Sequence, residues 1–144
     1  MKIIDATDMI AGRMAAKVAK LALEGEEIAI VNCEKAIISG TQKMLVTEYR
    51  TREARVQPFQ GPFKKRMPDR IIKFMIRGML PHGSKWTEGS RGRMAFLRIK
   101  CYIGVPLEFK DKKFESVPGA EASGLKTQNH LTIGELSRLL RGHG

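Results

Sequence analysis

Ile28-Ala29-Ile30-Val31-Asn32-Cys33 is an almost unbroken apolar run. A strand with one wet face alternates apolar and polar residues. This one does not, so its pattern predicts a strand buried on both faces, as in a parallel sheet covered by helices. Working back from it, Ala11 to Glu24 reads as an amphipathic helix. Met14, Ala15, Val18, Leu21 and Ala22 fall on one face, and Arg13, Lys17, Lys20 and Glu24 on the other. Asp8 is a plausible cap and Gly25 the expected stop. Residues 2–6 form a short strand before it. Working forward, Ala36-Ile37-Ile38 is a second apolar run ending at Ser39-Gly40. A helix over 42–54 follows, with Met44, Leu45 and Tyr49 inward and Thr41 placed to cap it. This alternation, with a further strand over 100–104, predicts an α/β fold with a mainly parallel sheet built from both ends of one domain spanning 1–144.

What lies between those ends is set apart by charge. The chain of 144 residues carries 26 Lys and Arg against 15 Asp and Glu, a net of +11. Residues 50–100 hold 14 of the bases and only Glu53, Asp69 and Glu88 as acids, so that segment alone is +11 and the remainder is neutral. Scattered charge serves solubility; segregated charge of one sign repels itself and points to a polyanion partner.

Within the segment, residues 55–67 have no periodicity and read as an extended loop. Pro68 then opens a helix, with Asp69 near its positive end and Ile72, Met75, Ile76 and Met79 inward. Arg66, Arg70, Lys73 and Arg77 recur at spacings that form one row able to track phosphates. A glycine-rich loop over 82–92 leads to a short helix bearing Arg91, Arg93 and Arg98. The expected RNA-binding set is Arg50, Arg52, Arg55, Lys64, Lys65, Arg66, Arg70, Lys73, Arg77, Lys85, Trp86, Arg91, Arg93 and Arg98. Phe59, Phe63 and Trp86 are of the type that stacks on unpaired bases, whereas Phe74 and Phe96 read as core. Beyond 105 the chain looks irregular to 128, an unusual length inside a compact domain, and is expected to lie along RNA or a neighbour. The last helix is announced by a capping box, Thr132 with Glu135, and a hydrophobic staple, Leu131 with Leu136.

Other chemistry finds little support. A hydrophobic fraction of 42% suits a globular chain, and no apolar run nears the roughly 20 residues of a membrane span. The first residues lack the sections of a signal peptide, so a cytoplasmic location is expected. Cys33 and Cys101 read as buried reduced thiols, and His82, His130 and His143 show no ligand spacing, so no metal site is expected. The turn before Gly12 could cradle a phosphate but lacks the other two glycines of a dinucleotide fingerprint. No set of residues suggests catalysis or a cofactor.

Several stretches resemble one family. Ile4-Asp5-Ala6-Thr7-Asp8-Met9-Ile10-Ala11-Gly12-Arg13 and Ile30-Val31-Asn32-Cys33-Glu34-Lys35-Ala36 are similar to the first two units of the thirteenth universal protein of the large ribosomal subunit. Gly61-Pro62-Phe63, Pro68-Asp69-Arg70, Ile76-Arg77-Gly78-Met79-Leu80-Pro81 and Arg91 to Gly104 resemble its most specific signature, in an archaeal-type form. The likeness spans about 2–106. It implies a three-layer α/β/α fold with a basic loop-helix insertion, no cofactor, no enzyme activity, and a structural role on large-subunit ribosomal RNA beside neighbouring ribosomal proteins. It carries RNA contact onto Arg70, Arg77, Gly78, Arg91 and Arg93. The competing readings are a small nucleotide-binding α/β enzyme using the Gly12 turn and a free RNA-binding regulator.

Overall fold

The computed structural model describes residues 1–61, 63–82, 87 and 89–142. In chain order come β1 (Lys2–Asp5), α1 (Ala11–Leu23), β2 (Ile28–Val31), β3 (Ile37–Ser39), α2 (Gln42–Ala54), α3 (Pro68–Met79), α4 (Arg91–Leu97), β4 (Ile99–Cys101), β5 (His130–Thr132) and α5 (Ile133–Arg141). β2 is the middle strand of a parallel sheet, between β1 and β4, and all four of its residues are buried. The register sets Ile4 opposite Ile30 and Ile28 opposite Ile99 on one face, and Ile3 opposite Ala29 on the other.

The two faces are covered differently. Ile4, Ile28, Ile30 and Ile99 meet α1 (Met14, Ala15, Val18, Ala22), α3 (Ile71, Ile72, Ile76) and Ala95 of α4. Each large aliphatic side chain buried there contributes about 1.5–3 kcal/mol. Ile3, Ala29 and Val31 are closed over by Tyr102, Val105 and Phe109, with the Tyr102 and Phe109 rings edge to face at 5.5 Å. The helical layer on this second side is one 3-10 turn deep, Leu107–Phe109.

β3 leaves the parallel sheet. Asn32 takes a left-handed conformation (φ 55) and Cys33–Lys35 form a 3-10 turn, which together swing the chain away. β3 then pairs antiparallel with β5, Ile37 opposite Thr132 and Ser39 opposite His130. Thr132 and Glu135 form the expected capping box, with Glu135 N–H donating to Thr132 Oγ1 at 3.2 Å and Thr132 N–H to Glu135 Oε2 at 3.1 Å. Leu131 and Leu136 share a small cluster with Leu45 and Leu140, which fastens α5 to α2.

Several expectations need correction. Neither Asp8 nor Thr41 caps a helix with its side chain; Ile10 occupies the position before α1. Met44 is exposed, because the buried stripe of α2 runs through Leu45 and Tyr49, one residue later. On α3, Ile71 is buried instead of Met79, since the helix stops at Met79 and Leu80 turns inward. Residues 105–128, expected to lie along RNA or a neighbour, are also held on one side by their own domain. Glu115 N–H bonds Ile3 O at 2.8 Å, Asp5 N–H bonds Glu115 O at 3.2 Å, and Ile10 N–H bonds Ala120 O at 2.6 Å. Phe109, Val117 and Ala120 are the apolar anchors that hold this otherwise polar stretch.

Asp5 ties the ends of β1 and β2 together. Its Oδ1 accepts from Thr7 N–H (3.0 Å), Thr7 Oγ1 (2.7 Å) and Asn32 Nδ2 (2.9 Å). Burial pulls its pKa up, but the bonds from Asn32 and Thr7 outweigh that and hold it below the ordinary carboxylate value. The two cysteines, distant in sequence, meet beside β2. Both are free, Cys33 buried and Cys101 half-buried; Cys33 Sγ donates to Ile30 O at 3.7 Å, and the neighbouring Cys101 thiol together with burial pushes the Cys33 thiol up, so it stays protonated.

Ile30→Ala should cost about 2–5 kcal/mol in chemical unfolding, whereas exposed Leu107→Ala should stay within about 0.5 kcal/mol. Asp5→Ala should destabilise most at neutral pH. A depressed folded pKa adds stability that is fully present above the unfolded value and lost as pH falls through the folded one, so the variant's deficit should shrink in acid unfolding series.

Candidate nucleic-acid interface

The basic segment is positioned by three elements. The end of α2 carries Arg50 and Arg52, with Arg55 at its C-cap. The linker to α3 carries Lys64, Lys65 and Arg66. Burying Ile71, Ile72 and Ile76 leaves Arg70, Lys73, Phe74 and Arg77 on the remaining surface of α3. Pro68 at the first helical position needs no hydrogen-bond partner, which is why the helix starts there.

These side chains are partly organised by their neighbours. Lys73 Nζ lies 5.0 Å from the centre of the Phe96 ring on α4, and Arg77 Cζ lies 5.3 Å from that of Phe74. Arg52 pairs with Glu48 and lies 5.8 Å from the Tyr49 ring. Burial raises the pKa of the Tyr49 hydroxyl, so it remains a neutral donor. Arg66 precedes α3, and its Nε donates to Glu53 Oε1 at 2.8 Å. The row therefore consists of Arg70, Lys73 and Arg77, and Arg66 is tied to α2 instead.

Tyr49, Arg52, Lys64, Lys65, Ile71, Phe74 and Met75 line a groove of about 200 Å3 between α2 and α3. Its floor is apolar, its sides aromatic and its rim cationic. Arg50 stands apart, donating to Leu139 O at 3.4 Å, and Arg98 donates to Ala22 O at 3.3 Å at the end of α1, where a cation complements the helix dipole. Arg91 is exposed and Arg93 half-buried on α4. Lys85 and Trp86 lie outside the described residues.

Phe74 reads as core in the sequence but is 45% exposed, while Phe96 packs against the core beneath Lys73. The signal is present in the spacing: Arg70, Phe74 and Arg77 sit at i, i+4 and i+7, one helical face. Tyr49 faces inward as its position predicts, and it also lines the groove. Phe59 is 99% exposed and Phe63 65% exposed, on a turn where Gly61 N–H bonds Gln57 O at 3.2 Å. Phe59 holds φ at 72 while almost fully in solvent, a conformation that costs an aromatic residue about 1 kcal/mol or more.

The turn before Gly12 is roofed over. Arg13 bonds the carbonyls of Gly119 and Gly124, both at 3.4 Å, and Met9 pairs with Glu121. Among the described residues no group of three or more His, Cys, Asp and Glu is arranged to hold a metal ion, and no helix is long and apolar enough to cross a membrane.

A neutral α/β scaffold bearing one cationic, aromatic-studded face defines a basic scaffold protein of the nucleic-acid-binding type. The chain belongs to the family described as Ribosomal protein L13, whose model matches residues 1–108. A protein of Methanococcoides burtonii named large ribosomal subunit protein uL13 is 45% identical, over 97% of each chain. The protein of that name from Methanosarcina barkeri is 43% identical over 96% of each, and that from Archaeoglobus fulgidus 40% identical over 99% of this chain and 88% of its own. These relatives are archaeal, in agreement with the archaeal-type motifs, and their similarity extends past residue 108 into the segment that wraps β1.

Gly61→Ala offers a test of the turn. At φ 76 an added Cβ would meet Phe63 N at 3.1 Å, so thermal unfolding should show a loss of about 1–2 kcal/mol.

Proposed function

We propose that this chain is a structural constituent of the large ribosomal subunit that binds and stabilises large-subunit ribosomal RNA and catalyses no reaction. Family membership and the segregation of the whole net charge of +11 into residues 50–100 carry the reading. Its binding surface is formed by Arg50, Arg52, Arg55, Lys64, Lys65, Arg66, Arg70, Lys73, Arg77, Arg91, Arg93 and Arg98, with Lys85 and Trp86 included on their sequence alone; of these, Arg50, Arg52, Arg66 and Arg98 also meet Leu139 O, Glu48, Glu53 and Ala22 O within the fold. Guanidinium groups suit this work because they remain charged and meet phosphate oxygens with two parallel bonds. The residues form a single domain, and its partners are the RNA and adjoining ribosomal proteins of the cytoplasmic ribosome.

The test is paired. The chain should remain with the large subunit when extracts are sedimented in high salt, and its affinity for large-subunit RNA should fall with salt at a log–log slope of roughly −5. Arg70→Gln, Lys73→Gln and Arg77→Gln together should leave unfolding nearly unchanged, because Ile71, Ile72 and Ile76 stay in place. They should flatten the slope by up to about one for each phosphate that is no longer neutralised. A slope shallower than about −2 in the unaltered chain would remove the basic face from the binding surface.

A further inference from the structure

We infer that the cationic face takes unpaired RNA, with bases stacked on Phe59 and Phe74, rather than continuous duplex; this rests on the RNA-binding reading above. Two separate features carry it. Phe59 stands almost fully exposed at the tip of a closed turn, with φ 72, where glycine would relieve the strain. Among the described residues the ring buries next to no surface, so it gains nothing from the fold to offset that strain. Phe74 lies on the face of α3 between Arg70 and Arg77 and, with Tyr49, forms the aromatic sides of the groove whose rim is Arg52, Lys64 and Lys65.

Continuous A-form duplex has little use for such groups. Its base faces are hidden in the stack, its major groove is deep and narrow, and its minor groove presents hydroxyls and phosphates. Unpaired nucleotides expose both base faces, and aromatic platforms between lysines and arginines are how proteins hold them. Here Arg55 precedes the Phe59 turn, and Lys64 and Lys65 follow it toward the groove of Phe74. Phosphates of one strand can lie on these cations while its bases meet the rings. Arg77, already 5.3 Å from the Phe74 ring, occupies part of the ring surface and leaves the remainder exposed at the groove.

The experiment uses the full chain and two probes with equal numbers of phosphates at the same salt: an unstructured oligoribonucleotide carrying one 2-aminopurine, and a blunt RNA duplex. The single strand should bind about tenfold more tightly, and its fluorescence should be quenched on binding. The Phe59→Leu, Phe74→Leu variant should lose the quenching and about tenfold in single-strand affinity. Its duplex affinity should fall much less than its single-strand affinity, since only the Phe74 support of Arg77 is lost there. Its thermal unfolding should be nearly unaltered, and the Phe59→Tyr, Phe74→Tyr variant should restore the preference. If the leucine variant binds the single strand as the unaltered chain does, the rings serve another partner, such as a protein pocket, and the inference is overturned. Duplex binding as tight as single-strand binding overturns it as well. Failure of the broader reading has a different signature: neither RNA binds with salt dependence, and the chain does not sediment with the large subunit.

Discussion

The structure depends on the double burial of β2. Four consecutive side chains without access to water oblige the chain to cover two faces of the same strand. One cover is α1 with α3 and α4; the other is the stretch from Tyr102 to Phe109. Because both covers must present apolar surface, charge is excluded from the inner sides of these elements and collects where nothing has to be closed over. The outer side of α3 and the linker before it are such places. Segregation of charge is thus the counterpart of a strand that has no wet face.

The cationic surface is not left to arrange itself. Glu53 and Glu48 take Arg66 and Arg52, and Phe96 and Phe74 lie under Lys73 and Arg77. Exposed pairs of this kind are worth only about 0–1 kcal/mol, too little to compete with a phosphate but enough to narrow the directions in which side chains point. The surface is thereby ordered in part before any partner arrives, which lowers the entropy lost on binding.

The sequence made the helices and the central strand legible, because their periodicities are strong and their boundaries carry chemical marks. Pro68 opens α3 and the Thr132–Glu135 pair opens α5 as their local chemistry indicates. β3 was legible as a strand but not as a departure from the sheet, since Asn32 is of a type that tolerates the left-handed conformation but does not by itself say in which direction the chain turns. The attachment of residues 105–128 to their own domain was not legible for a related reason: three anchors, Phe109, Val117 and Ala120, are too sparse to form a period, yet they suffice to hold a segment whose backbone pairs with β1. In the basic face, composition located the cations but could not tell which were engaged. Arg66 and Arg98 differ from Arg70 only in what the fold brings beside them, Glu53 and the Ala22 carbonyl.

The parallel pairing of β2 with β4 has a consequence for the order in which the molecule forms. Ile28 and Ile99 are partners across about seventy residues of chain, most of it the cationic insertion. In equilibrium terms that length matters little, since loop entropy grows only with its logarithm and each doubling adds about 0.6 kcal/mol. In time it matters more, because non-local parallel pairs form slowly. As the chain leaves the ribosome that makes it, β1, α1 and β2 emerge first. Ala29 and Val31 then stay uncovered until Phe109 has been synthesised, so the entire positively charged segment exists while the apolar face of β2 is still bare. The interval between those two events is when the nascent chain is most exposed to aggregation, and when early contact with RNA would matter most to its fate.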